Sequence, residues 1–420
     1  MKTIFYSLIC LVILYIYIYS PALQLVNFGL DKIILVLSII YIFYRKRYFL
    51  YLKSFKKELV LLFCIFVFSV LVMSLNQTSL EQSLVVYDSF VLLECLFVPF
   101  AVISFANSMR TFSVDKLLLT NGVLASLITI FLLLNPSLAS FVKDSVLRLP
   151  DVVNEHFAFR GFGLSDGLLF GYPVVQGFLC SFIICGTYSN KKIWHNILLL
   201  PLIVSIFVNA RSGIIPIFVA FLLVLRFYSF GKILKIALAI FLLVVLGAEV
   251  LSSYTNSQLG ESMSWGLNTF ELILDLMNGK DVENMDALTK DMVQIPHDFN
   301  IWLYGCGKNI FSITVPEYST SDIGYCIRLM YGGIFYCCLW LFLIIYMFMR
   351  MLKANKTCAL ILFLSLVYMN WKSDFFVVTP ASRFFFFIYV YCILKNKTYS
   401  VRFRKHHLQK AKRYKTASCA

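Results

Sequence analysis

From its first residues to about position 395 the chain returns repeatedly to apolar runs. Each run is long enough, at about 17–25 residues, to cross a ~30 Å hydrocarbon layer as a helix. No soluble core can absorb so many. In lipid every backbone polar group must be satisfied within the protein, which leaves helices as the spanning form for segments of this length. The composition agrees: 60% of the 420 residues are hydrophobic and 17% aromatic, with a mean hydropathy of +0.82. The sequence therefore predicts an all-α polytopic membrane protein of about twelve transmembrane helices. The expected spans are 3–22, 27–44, 58–75, 84–107, 116–135, 168–188, 193–209, 213–228, 232–250, 324–349, 357–371 and 380–395. Residues 1–420 form a single membrane domain, with no internal repeat and no linker to a soluble unit. The first span lacks a convincing cleavage site, so it reads as an anchor rather than a removed signal.

Charge sets the orientation. With the N terminus inside, the inside segments carry Lys2, the YRKRYFLYLKSFKK stretch, Arg110, Lys116, Lys191, Lys192, Arg226, Lys232, Lys235, Arg350, Lys353 and Lys356. They also carry the basic tail, 396–420. The positive-inside rule then places both termini in the cytoplasm. The net charge of +15 is explained by retention on that side and by anionic lipid, and calls for no nucleic acid. The twelve cysteines lie mostly within spans, form no CxxC, and read as packing residues.

This topology leaves two large outside loops, 136–167 and 251–323. The second contains SWGLNTFELILDLMNG, whose Trp265, Phe270, Ile273, Leu274 and Met277 fit one side of a helix on the membrane surface or against the bundle. The few outside cations stand out against the rule: Arg160, Arg211, Arg328, Lys372 and Arg383, all expected near the outer boundary. Clustered cations there are costly unless something anionic meets them, and an arginine fork matches a phosphate or carboxylate. Asp166, Asp298, Asp322 and Asp374 share the level, either as salt-bridge partners or, unpaired, as a base. Asp88 and Glu94 lie six apart within one span, on different helix faces, and read as satisfied inside the bundle or as part of an ion path. His156 and His297 are the only outside histidines, so no metal site and no cofactor is expected.

Four features together resemble the Wzy-type polymerases of the O-antigen polymerase and ligase superfamily. These are the arrangement of helices and two large loops, Arg160 followed by Gly171, the NARSG turn at 209–213, and YGCGKN at 304–309 followed by SDIGYCIRLMYGGIFY at 321–336. The resemblance covers roughly 150–385; Ser321-Asp322 stands where ligases favour a His-Asn pair. It implies polymerisation of undecaprenyl-pyrophosphate-linked oligosaccharide units into O-antigen or capsular polysaccharide at the periplasmic face of the inner membrane. The implied partners are those lipid-linked substrates, membrane lipids, a chain-length regulator and a flippase. Arg211 and Asp322 become the expected catalytic residues. Arg160, Gly171, Arg328, Lys372, Arg383 and Asp166 become the expected substrate-binding set. Asp322 has a structural alternative, as N-cap of the span that follows. An O-antigen ligase and a lipid-linked oligosaccharide flippase stay open as alternatives.

Overall fold

Both faces of the helix Tyr48–Leu75 are apolar. Tyr51, Phe55, Leu62, Ile65, Ser69 and Val72 are buried along one side. Val60, Phe63, Val67, Leu71 and Leu75 recur at helical spacing on the other and are exposed. A helix that is apolar all round while only one stripe packs on protein has hydrocarbon as its other neighbour. The helix Gly324–Ala354 repeats the pattern, exposing Phe335, Leu341, Phe342, Ile345 and Met349.

The computed structural model describes residues 2–21, 23–25, 29–109, 111–147, 164–165, 170–186, 197–225, 292–311, 313, 315, 318–376 and 379–396. Among them the regular elements are helical, with only two isolated β-bridges. In chain order the helices are α1 (Lys2–Tyr19), α2 (Leu30–Tyr44), α3 (Tyr48–Leu75), α4 (Val85–Met109), α5 (Val114–Leu134) and the short α6 (Pro136–Phe141). Then come α7 (Gly171–Ile184), α8 (Leu199–Asn209), α9 (Ile214–Leu225), the short α10 (Phe299–Tyr304), α11 (Gly324–Ala354) and α12 (Lys356–Lys372). A last helix, α13, runs over 380–396. Every expected span coincides with one of these helices except 232–250, which lies outside the described residues. Five of them, α1, α3, α4, α5 and α11, are long and apolar enough to cross a membrane by themselves. The chain is an all-α protein of membrane character.

One boundary differs from expectation. The basic stretch after residue 47 is helical rather than a loop, and α3 starts at Tyr48 with a kink at Phe55 (φ −127°). Lys56 and Lys57 stay exposed on this extension, while Glu58 turns inward to Arg350 and Tyr389.

The centre of the bundle is α7 with α13. Residues 171–183 and 379–390 are buried on every side, and Phe384 stacks between Phe178 and Phe182 at 5.8 and 6.2 Å. Glycines let α7 approach its neighbours closely: a Cβ on Gly177 would stand 2.1 Å from the carbonyl oxygen of Gly213, just before α9, and one on Gly171 2.8 Å from Pro380 of α13.

Polar contacts gather at the two ends of the bundle. At one end Arg350 meets Glu58, Lys395 and Tyr391 meet Asp115, and Tyr41 meets Ser108. At the other, residue 23 bridges residue 147, Asn309 N–H donates to the Gln82 carbonyl, and Gly324 packs on Asn370 and Asp374. Along α11, Arg328 and Arg350 are about 33 Å apart at ~1.5 Å per residue, close to a hydrocarbon thickness.

Candidate functional site

The end that carries residues 20–31, 76–84, 170–173, 210–213, 292–328 and 370–383 holds every sequence-predicted site residue that is described. Arg160 and Asp166 lie outside the described residues, as does the surface helix expected around Trp265. Arg211 opens a turn of 3-10 helix, Arg211–Gly213, and only its backbone is described. Gly171 begins α7 against Thr379 and Pro380, so its role is close packing of two helix starts.

Arg328, one turn into α11, does not sit at an open boundary. It is 3% exposed, and its Nε and Nη2 both donate to one oxygen, Oδ1 of Asp374, at 3.1 and 2.9 Å. Its Nη1 donates to the Tyr336 hydroxyl at 3.4 Å and lies 3.8 Å from Asp88 Oδ1. The guanidinium lies 4.2 Å from the Trp340 ring centre and 5.2 Å from that of Phe376, a desolvated cation–π setting. Tyr336 in turn donates to Asp88 Oδ2 at 2.6 Å.

Arg383 occupies a second cluster, deeper by about 9 Å along α4 at ~1.5 Å per residue. Its Nε donates to Glu94 Oε1 at 2.6 Å and its Nη2 to Asp31 Oδ2 at 3.0 Å. Lys32 bridges the same carboxylates, 2.9 Å from Glu94 Oε2 and 2.7 Å from Asp31 Oδ2. Ser20 closes the set by donating to Asp31 Oδ1 at 3.0 Å. Asp88 and Glu94 do face different sides of α4, and each meets a different arginine. The expectation that Arg328 and Arg383 turn toward an anion outside the chain is corrected here: protein carboxylates meet both, inside the bundle. The physical reason is cost. A cation with no partner is costly in hydrocarbon, about 2.5–3.5 kcal/mol even on insertion scales.

Asp322 differs from all of these. It is exposed and stands just outside α11. Partial burial pushes its carboxyl above the usual range, and the Lys372 ammonium opposes the rise. It is not the helix cap, because the N-cap is Ile323 and no side chain caps there. Ser321 takes the local turn instead, its Oγ accepting from Ile323 N–H at 3.1 Å. Lys372 is half-buried at the end of α12. Asp298, expected at the same level, caps α10 by accepting from Asn300 N–H at 2.8 Å.

The loop before α11 is held by backbone contacts. Gly305 and Gly307 have φ of +79° and +70°, and Cys306 and Gly307 donate their N–H groups to the carbonyls of Met330 and Tyr331. Those carbonyls are available because α11 is broken at Gly333 (φ +67°). A Cβ on Gly333 would stand 2.2 Å from the Leu303 carbonyl oxygen, so α10 wedges against the break. Non-helical backbone within a span is tolerated where protein covers it, as here.

The sequence reading missed Asp31, Lys32 and Asn370. Asp31-Lys32 did carry a signal, an adjacent charged pair inside an apolar run. No family model, curated protein or solved structure matches the chain.

Proposed function

We propose that the protein is a repeat-unit polymerase of the Wzy type. It joins undecaprenyl-pyrophosphate-linked oligosaccharides into O-antigen or capsular polysaccharide at the periplasmic face of a bacterial inner membrane. In this reading the chain crosses the membrane about twelve times with both termini in the cytoplasm, and the end bearing Asp322 faces the periplasm.

The observation that carries the reading is an exposed carboxylate, Asp322, within electrostatic reach of the Lys372 ammonium, at the mouth of a bundle whose deeper arginines, Arg328 and Arg383, are met by protein carboxylates. A base for a sugar hydroxyl must be reachable, and Asp322 is. A pyrophosphate leaving group concentrates negative charge in the transition state, so a cation fixed beside the base stabilises that state more than the ground state. Lys372, Arg211 and Arg160 are assigned this role. Arg328 and Arg383 are assigned the positioning of α11, α13 and α4 beneath it. The phosphosugar bond supplies the driving force.

Deletion of the gene, scored on a polysaccharide gel, tests the reading. The expected product is lipid A core bearing a single repeat unit. Bare core with accumulated lipid-linked polymer would make the protein a ligase. A second reading, a transporter of lipid-linked oligosaccharide, draws on the Arg383–Glu94–Asp31–Lys32 cluster, whose charges lie below the mouth. Loss of a transporter would leave repeat units on the cytoplasmic leaflet and no unit on the core.

A further inference from the structure

The two buried charge clusters on α4 do not balance in the same way. In the deeper one, two carboxylates (Asp31, Glu94) face two cations (Arg383, Lys32), and all four carboxylate oxygens have partners. In the one nearer the mouth, two carboxylates, Asp88 and Asp374, share one cation, Arg328. Both acids are nearly inaccessible, at 2% and 3% exposure, and Asp88 Oδ1 and Asp374 Oδ2 have no hydrogen-bond partner among the described residues. Among the described residues, the charged and titratable groups facing Asp88 are Arg328, Tyr331 and Tyr336 on α11 and Asp374 after α12, while Tyr87 on α4 faces Asp374. From α3 comes the Ser69 hydroxyl, which faces Asp88 and also lies 2.9 Å from the Tyr331 hydroxyl. Lys32 and Arg383, the cations of the other cluster on α4, are committed to Glu94 and Asp31.

Among the described residues one carboxylate is therefore in excess. Arg328 places two donors on Asp374 and only a 3.8 Å approach on Asp88, so Asp88 is the weaker claimant. An uncompensated buried carboxylate is expensive and is relieved by taking up a positive charge. A proton does this with no further ligands, whereas a metal ion needs several oxygens. We propose that Asp88 is a proton-binding site, its Oδ1 taking up one exchangeable proton, and that in the protonated state the Arg328 cluster carries no net charge. The step is a single protonation: solvent supplies the proton, and the cluster passes from one net negative charge to none. Arg328 belongs to Asp374 when Asp88 is protonated and is shared when it is ionised. The charge beneath the mouth is thus set by the proton on Asp88, whatever substrate the mouth receives.

Infrared difference spectroscopy of the purified full-length protein in lipid nanodiscs, titrated with pH, reads this proton directly. The wild type is expected to show the carbonyl stretch of a protonated carboxyl on the acid side of neutrality, lost on alkalinisation. Asp88→Asn is expected to abolish the band, and Asp322→Asn to leave it. Asp374→Asn leaves one carboxylate for one arginine, so Asp88 stays ionised and the band also disappears. If Asp88→Asn cannot be recovered folded, Asp374→Asn alone decides. A band unchanged in either variant overturns the proposal. So does a wild-type melting temperature raised by sodium over choline chloride, with the rise abolished by Asp374→Asn, since that would make the counter-charge a metal cation.

Discussion

Arg328 and Asp374, on different helices' ends, are joined by two hydrogen bonds that converge on a single carboxylate oxygen. That oxygen also accepts the Phe376 N–H at 3.0 Å, so one atom fixes an arginine, a turn and the start of the segment leading into α13. Removing the arginine alone strips two buried acids of the one cation they share among the described residues. Arg328→Met is therefore expected to destabilise the protein by about 3–5 kcal/mol, measured by unfolding in detergent. Arg328→Met combined with Asp374→Asn is expected to recover part of that loss, because the worst buried charge is gone. Equal stability of the single and double variants would show that the pair acts through packing and not charge.

Asp322 is assigned as a base, and its isostere separates chemistry from folding. Asp322→Asn is expected to abolish the polysaccharide ladder while the protein accumulates normally in the membrane, since Asp322 caps no helix. A wild-type ladder in this variant would end the assignment.

The raised Asp322 carboxyl gives a signed pH effect. A base works only when deprotonated, so activity is expected to rise with pH as this group ionises, above the usual carboxylate range. Lys372 holds the group down, and Lys372→Met removes that restraint. The acid limb of the variant's activity profile should then move to higher pH, which an in vitro polymerisation assay over a pH series detects. A shift to lower pH, or none, would separate Lys372 from Asp322.

At Gly333 both backbone angle and space forbid a side chain. Gly333→Ala is expected to cost at least about 1–2 kcal/mol from the left-handed backbone alone, with more from displacing α10. Leu341→Ala, on the exposed face of the same helix, serves as the control and is expected to fall within about 0.5 kcal/mol. Thermal melts of both variants in one detergent make the comparison.

Topology is open to labelling. Single cysteines introduced at positions 78 and 308 are expected to react with an impermeant maleimide from the periplasm. Ones at 46 and 355 should react only after the inner membrane is opened. Labelling of 308 from the cytoplasm alone would invert the orientation.

The helices were legible because hydropathy is a property of each segment by itself. The glycines of YGCGKN and YGG stood out only as a family likeness; that Gly305, Gly307 and Gly333 take positive φ, where a side chain is disfavoured, is a finding of the structure. The pairings were not legible. Arg383 meets Glu94 and Asp31 from remote points of the chain, and no local pattern announces which carboxylate an arginine will find. Expecting Arg328 and Arg383 at an open boundary followed from counting outside charges without weighing the acids buried in α2 and α4. Asp322 shows the converse: helix-start statistics suggested a cap, but capping depends on where the first turn begins, and it begins one residue later.

The arrangement of α4 also governs how the protein can be made. Asp88 and Glu94 leave the ribosome long before the arginines that neutralise them; Arg383 follows Glu94 by 289 residues. At about 5–20 residues per second that interval is roughly 15–60 s. During it α4 carries buried-to-be acids with no guanidinium to meet them. Among the described residues Lys32, already synthesised, can shield Glu94 in the meantime, while the cation that approaches Asp88, Arg328, comes later in the chain. Chains that stop before α11 therefore carry an α4 whose Asp88 has not yet met its guanidinium, so a truncated copy differs from a finished one in the charge and protonation buried within that span.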